Sequence, residues 1–243
     1  MAMMAYDAVS AAAFAATRHV PVEGLASWRA VVARHLPAGP GVRVLDLGAG
    51  TGAWATAFRS WYGVDVVAVE PSAEMRARSA YPGMVAGRAE ALPLAAADLD
   101  GAWLSTVVHH LPDLPVVAAE LRRVLRPGAP VLIRSVFAGR AGGVTLFRWF
   151  PEALRVLDGY PSVAEVCAAF ESAGFAPVAL APVPQVSALS LRAAVDGLRR
   201  AAHTPLALLD DADYDRGLRR MRAAAERTPH APVVDTMDLL VLR

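Results

Sequence analysis

Val44-Leu45-Asp46-Leu47-Gly48-Ala49-Gly50-Thr51-Gly52-Ala53 is the stretch that decides the fold. The run from Val42 to Leu47 reads as a strand, three glycines follow at alternate positions, and a helical pattern extends from Thr51 to Trp61. Glycines tolerate positive φ and let a ligand approach the backbone, and the helix start behind them presents free N–H groups and partial positive charge. A polar group is expected to sit on this turn.

Outward from the turn, short β-type runs alternate with helical patterns, which argues for an α/β parallel sheet. Ala26 to Leu36 has helical spacing and is broken by Pro37-Ala38-Gly39-Pro40. Further strands are expected at Val66–Val69, Met84–Ala86, Ala102–Leu104 and Val131–Ile133. Helices are expected at Ala73–Ala80, Leu114–Leu125 and Ser162–Ala173. Two late runs, Val178–Val186 and Met237–Leu242, are separated by a charged helical stretch over Asp211–Glu226. Five parallel strands finished by an antiparallel edge fit this order.

Composition narrows the chemistry. The 243 residues carry 24 basic against 23 acidic side chains, a formal charge of +1; every basic residue other than histidine is arginine, and lysine and asparagine are absent. Schiff-base chemistry, a phosphate-binding loop lysine and a lysine general base are excluded, as is N-glycosylation. Cys167 is the single cysteine, so there is no intrachain disulfide, and the six histidines lack the spacing of a zinc site. No metal is expected. At 55% hydrophobic and 19% charged the chain buries a full core. With no basic segment before its first apolar residues it is expected to be cytoplasmic, and the charge-free stretch Ser172–Leu191 holds three prolines and makes a poor membrane helix.

The spacing Gly48-x-Gly50-x-x-Ala53, with Glu70 downstream, also satisfies the dinucleotide fingerprint. Asp46 decides against it. Two residues before the first glycine, its carboxylate would repel a pyrophosphate and attract an ammonium. A leader of about forty residues before the fingerprint is also unlike a dinucleotide domain, which commonly opens with it.

Asp46-Leu47-Gly48-Ala49-Gly50-Thr51-Gly52 resembles the first motif of class I methyltransferases that use S-adenosylmethionine, and Val69-Glu70-Pro71-Ser72-x-x-Met75 resembles the second. Gly87-Arg88-Ala89-Glu90-Ala91-Leu92-Pro93 is similar to the adenine-side segment. Asp100-Gly101-Ala102-Trp103 with His109-His110-Leu111-Pro112-Asp113 resembles the fourth motif, and Leu125-Arg126-Pro127-Gly128 the approach to the fifth strand. The Tyr6–Arg18 leader and the stretches Pro161–Phe175 and Ala207–Leu218 resemble the small-molecule branch related to quinone-biosynthesis methyltransferases.

The resemblance implies a Rossmann-like α/β fold: a seven-stranded, mostly parallel sheet with an antiparallel last strand, helices on both faces and a helical cap. One domain over 1–243 is expected, with a cap segment at 1–30, a cofactor-binding half at 41–136 and cap or substrate insertions at 137–160 and 190–232. It implies S-adenosylmethionine as cofactor and S-adenosylhomocysteine as product. Gly48, Ala49, Gly50 and Gly52 would carry the methionine part, with Asp46 on its ammonium. Glu70 would accept the ribose hydroxyls beside Pro71. Met75 would pack an adenine face or serve as an ordinary core residue. Ala89 and Glu90 would meet the adenine edge, where Arg88 replaces a common aspartate. Leu104 and Ser105 would close the site at the end of the fourth strand.

Methyl transfer from a sulfonium needs proximity and alignment more than covalent help, and a base only where the acceptor must lose a proton. His110 and His109 are the candidates for that base, or else they shape the pocket. Arg134-Ser135 ends the fifth strand where some relatives place an acid to orient a base. Tyr6, Arg18, Trp149 and His203 are candidates for substrate contact or a lid. The arginines from Arg216 to Arg227 alternate with acids and read as a solvated helix face, which with the near-zero net charge argues against a nucleic-acid partner. The expected acceptor is a small metabolite taking methyl on oxygen, nitrogen or carbon. The alternatives are a non-methylating cyclisation or rearrangement that uses the cofactor's charge, and RNA methylation.

Overall fold

The computed structural model describes residues 22–243. Tyr6 and Arg18 lie outside the described residues. Seven strands form one sheet: β1 Arg43–Leu47, β2 Asp65–Glu70, β3 Val85–Ala86, β4 Gly101–Ser105, β5 Val131–Ser135, β6 Pro177–Ala188 and β7 Val233–Leu242, in the order β3-β2-β1-β4-β5-β7-β6. The first five run parallel, and β7 pairs antiparallel with β5, from Val131 opposite Leu242 to Ser135 opposite Asp238. The two late strands thus finish the five parallel ones as the sequence suggested, with the antiparallel β7 beside β5 and β6 outermost. Pro177, Pro182 and Pro184 in β6 have no N–H to donate, and an edge strand tolerates that loss.

The helices follow their capping signals. Helix α1 (Val22–Val32) leads into β1, and α2 (Ala53–Tyr62) follows the glycine turn. A short α3 (Ala73–Ala77) is capped by Ser72. Helix α4 (Leu114–Val124) starts at Asp113, whose carboxylate accepts the Val116 N–H, and buries Val117, Ala118, Leu121 and Val124. After β5 come α5 (Leu146–Trp149), α6 (Leu154–Leu157) and α7 (Val163–Glu171), the last opened by a reciprocal Ser162–Glu165 capping box. Helices α8 (Leu191–Gly197), α9 (Thr204–Ala207) and α10 (Asp211–Arg227) lie between β6 and β7.

The chain divides into two compact units. A sheet unit comprises Arg29–Ser135, Pro161–Ala181 and Asp238–Arg243. Its core is the strand stack, with all of β5 and the last six residues of β7 buried, as expected of strands covered on both faces. A helical unit comprises Val136–Tyr160 and Pro182–Met237 with the described residues up to Trp28, and so takes in the stretches read as insertions. It has its own core, in which Phe147, Phe150, Leu157 and Tyr160 pack with Leu191, Leu206, Leu209 and Met221. Among the described residues no helix is long and apolar enough to cross a membrane.

Candidate cofactor and acceptor site

The glycine turn is built as its sequence demands and faces unexpectedly. Gly48, Gly50 and Gly52 have φ of 70°, 57° and 79°, a region that costs other residues about 1–2 kcal/mol. A Cβ on Gly48 would lie 2.6 Å from Val107, and one on Gly52 would lie 2.5 Å from the Tyr81 side chain. The N–H groups of Gly48, Ala49, Gly50 and Gly52 are already spent, the last on the Ala49 carbonyl at 2.9 Å. Gly48 and Ala49 donate to the Val69 carbonyl at 2.9 and 3.1 Å, and Gly50 donates to Glu70 Oε2 at 2.9 Å. The free donors expected from the sequence are therefore turned toward β2, and what the turn offers a ligand is glycine backbone without side chains.

Two carboxylates complete this place. Asp46, on β1, is 1% exposed; its Oδ2 has no hydrogen-bond partner among the described residues, and its carboxyl group accepts the Ala55 N–H at the start of α2. Burial pushes the Asp46 carboxyl up to about 7; the Ala55 N–H draws it down, and the nearby Glu70 charge adds to the rise. Glu70, 6% exposed, accepts Gly50 N–H through one oxygen and Ser72 N–H through the other, each at 2.9 Å. Burial raises its pKa, while those two donors and Arg76 oppose the rise. Each Glu70 oxygen keeps a lone pair for a further donor.

The remaining sites read from the sequence fall as follows. Met75 on α3 is buried, and Pro71 is exposed beside it. Gly87 lies so close to β2 that a Cβ would meet Val69 at 2.9 Å, which sets the path of the next segment. There Ala89 is buried, and half-buried Glu90 pairs with exposed Arg88 at 3.3 Å. Leu104 is buried in β4, and Ser105 ends that strand. His109 and His110 stand on a single 3₁₀ turn, Val108–His110, with ring centroids 4.0 Å apart. That turn follows Val107, the residue pressed against Gly48, so the histidine turn and the glycine turn are mechanically joined. Trp149 and His203 belong to the helical unit: Trp149 lies on α5 with Arg148 5.2 Å over its ring, and His203 precedes α9. Among the described residues no cluster of His, Cys, Asp or Glu has the arrangement of a metal site.

Sequence reasoning missed three supports. Arg76 holds the carbonyls of Glu70 and Pro71 at 2.7 and 2.9 Å and so fixes the end of β2. Tyr81 is buried with its hydroxyl on the Val66 carbonyl at 2.8 Å, and it backs Gly52. Arg134, read from the sequence only as the lack of an acid, is 4% exposed; it donates to Ser105 Oγ at 3.1 Å and lies 5.4 Å over the Trp54 ring. The one available signal was a charge directly after the apolar run Val131-Leu132-Ile133. Register places Asp46, Trp103 and Leu132 on one sheet face, and Arg134, two residues on from Leu132, shares it. A negative place at the end of β1 and a positive one at the end of β5 thus flank Trp103, at the carboxyl edge where such sheets bind ligands.

Residues 45–133 match the family model described as a methyltransferase domain. Malonyl-[acyl-carrier protein] O-methyltransferase of Erwinia pyrifoliae is 37% identical over 109 residues, 43% of this chain and 41% of that one. Demethylmenaquinone methyltransferase of Renibacterium salmoninarum is 34% identical over 110 residues, 44% and 46% of the two chains. The chain thus spans less than half the length of these curated relatives. A putative methyltransferase from an antibiotic biosynthesis pathway of Anabaena variabilis superposes with a TM-score of 0.68 at 22% identity, over 89% of this chain and 96% of that one, which shows the shared fold. Residues 45–133 therefore carry a methyltransferase domain, and over that stretch the chain is similar to class I S-adenosylmethionine-dependent methyltransferases.

Proposed function

We propose that the protein transfers the methyl group of S-adenosylmethionine to an oxygen, nitrogen or carbon of a small metabolite and releases S-adenosylhomocysteine. The observation that carries the reading is Asp46: a buried carboxylate with an unpartnered oxygen at the mouth of the glycine turn, in contact with the helix start where a phosphate would otherwise bind. An ammonium satisfies that oxygen; a pyrophosphate is repelled by it and finds the N–H groups of all three glycines already occupied. The fit to the cofactor's amino-acid end is therefore good.

The cofactor supplies an electrophilic methyl on a sulfonium. The chain's own residues supply the rest. Gly48, Ala49, Gly50 and Gly52 let the methionine part lie on bare backbone, Glu70 accepts the ribose hydroxyls, and Met75, Ala89 and Glu90 border the adenine. Leu104 and Ser105 close the β4 side. Placement and exclusion of water do most of the work of a displacement at carbon. His110, with His109 against it, accepts the acceptor's proton where one must be lost. The two curated relatives are named for a malonyl group on a carrier protein and for a demethylated quinone, so a screen for the acceptor starts from carboxylic acids and quinols.

The test is calorimetry of the pure protein with S-adenosylmethionine, S-adenosylhomocysteine and a nicotinamide dinucleotide, followed by a product assay. Tight binding of the first two, and S-adenosylhomocysteine formed in proportion to methylated acceptor, support the reading. Dinucleotide binding without cofactor binding overturns it, and acceptor conversion without S-adenosylhomocysteine points to a rearrangement.

A further inference from the structure

The helical unit holds a cavity of its own. It lies between α8 and α10, has a volume of about 470 Å³, and is lined by residues of that unit alone. A space of that size suits a small organic ligand.

Four arginines of the unit are ion-paired: Arg200 to Asp211, Arg216 to Asp213, Arg220 to Glu152 and Arg155 to Asp213. The three on the cavity, Arg192, Arg199 and Arg222, make no ion pair among the described residues. Asp196 and Glu226 share the lining without approaching these arginines to salt-bridge distance, so the formal charge of the wall is 3 − 2 = +1. Arg199 is held in place by its own bonds to the carbonyls of Asp196 and Leu198 at 2.9 and 3.0 Å.

The rest of the wall is apolar or phenolic. Val195 and Leu198 come from the α8 side, and Leu218 and Ala225 from α10. Tyr214, one helical turn before Leu218, stacks on Phe150 at 5.7 Å and carries the Arg200 guanidinium 4.9 Å over its ring. Burial pushes the Tyr214 phenol up, and Arg200, Arg222 and Arg199 draw it back.

We propose that this cavity binds an organic phosphate, its phosphoryl group on Arg199 and Arg222 with Arg192 beside them, and its apolar body along Val195 and Leu218. Three guanidinium groups on the wall of one cavity exceed what a single carboxylate needs, and they match the three terminal oxygens of a phosphate monoester. The apolar floor favours a ligand with a hydrocarbon part over the inorganic ion. The site uses none of the glycine-turn residues and goes beyond the methyl-transfer reading.

Titration calorimetry of the full chain with n-hexyl phosphate, inorganic phosphate and n-hexanol tests it. Saturable binding of hexyl phosphate, at least about tenfold tighter than inorganic phosphate and absent for hexanol, is expected. The double variant Arg199→Gln, Arg222→Gln should weaken it by about tenfold or more while leaving the melting temperature and the S-adenosylhomocysteine affinity unchanged. Leu218→Glu gives an independent reading from the apolar side. No saturation with hexyl phosphate, equal binding of inorganic phosphate, indifference to both variants, or displacement by S-adenosylhomocysteine overturns the proposal.

Discussion

Glu70 Oε2 accepts the N–H of Gly50 at 2.9 Å across twenty residues of sequence, while its other oxygen accepts the N–H of Ser72. One carboxylate thus ties the glycine turn to the end of β2. Glu70→Ala leaves two backbone donors short of partners at a largely buried place, at a cost of about 1–3 kcal/mol each where water cannot replace the carboxylate. A clear fall in melting temperature is expected, together with loss of S-adenosylhomocysteine binding by calorimetry. A variant with wild-type stability and affinity would show that neither bond matters.

Asp46 makes stability and cofactor affinity respond oppositely to pH. Unfolded, its carboxyl titrates near its ordinary 3.8; folded, it titrates at about 7. Between those values the folded form binds more protons, so its stabilising contribution is full below the lower value and is lost as pH rises through the upper one. The gap of roughly three pH units amounts to on the order of 4 kcal/mol. Buried Glu70 adds with the same sign, and His35, whose pKa is lowered mainly by burial, opposes it. Asp46→Asn removes the Asp46 share alone: the ligand-free variant should be more stable than the wild type at about pH 8, with the difference closing toward pH 5. Wild-type affinity for S-adenosylhomocysteine should rise over the same window as the carboxylate ionises, and the Asn variant should lack that rise. Melting curves and calorimetry across pH check both signs.

Gly48 and Gly63 separate backbone strain from crowding. Both have positive φ, 70° and 65°, but a Cβ meets Val107 at Gly48 and nothing within 4 Å at Gly63. Gly63→Ala should cost about 1 kcal/mol for conformation alone. Gly48→Ala should cost a further 1–3 kcal/mol, roughly, because β-branched Val107 has little freedom to move. Urea denaturation of the two variants decides it; equal losses would contradict the contact.

Gly217 lies inside α10, where alanine ordinarily stabilises a helix by about 1 kcal/mol. Here a Cβ would fall 2.1 Å from the Phe150 ring. Gly217→Ala should therefore destabilise the helical unit by about 1–3 kcal/mol despite its better propensity. A gain in melting temperature would refute the packing.

His110→Ala should lower kcat with the natural acceptor by about a hundredfold or more if the acceptor must be deprotonated, with cofactor affinity unchanged. His109→Ala should act through its neighbour's ring, 4.0 Å away, and have a smaller effect. Near-normal turnover in both variants removes the base assignment and leaves the pair as pocket walls.

Much of the sheet unit is legible in local pattern. The expected strand at Val131–Ile133 and helix at Leu114–Leu125 lie within one or two residues of β5 and α4, because apolar periodicity and an Asp113 cap are local signals. The place of β7 was not legible: runs of Val and Leu say that a strand is buried but not which strand lies beside it. Arg134 was legible only as an oddity, since its burial depends on β4, β7 and the α2 tryptophan brought around it.

The sequence by itself determined the strand, glycine turn and helix, the acids at 46 and 70, and the absence of any lysine to share their work. Those are properties of residue type and short spacing. Only the tertiary structure decided that the turn's donors point at Val69 and Glu70, that one Asp46 oxygen is left without a partner, and that three arginines of the helical unit share a cavity unmatched. Hydrogen-bond partners and burial are set by segments far apart in the chain, and no local pattern records which of them will meet.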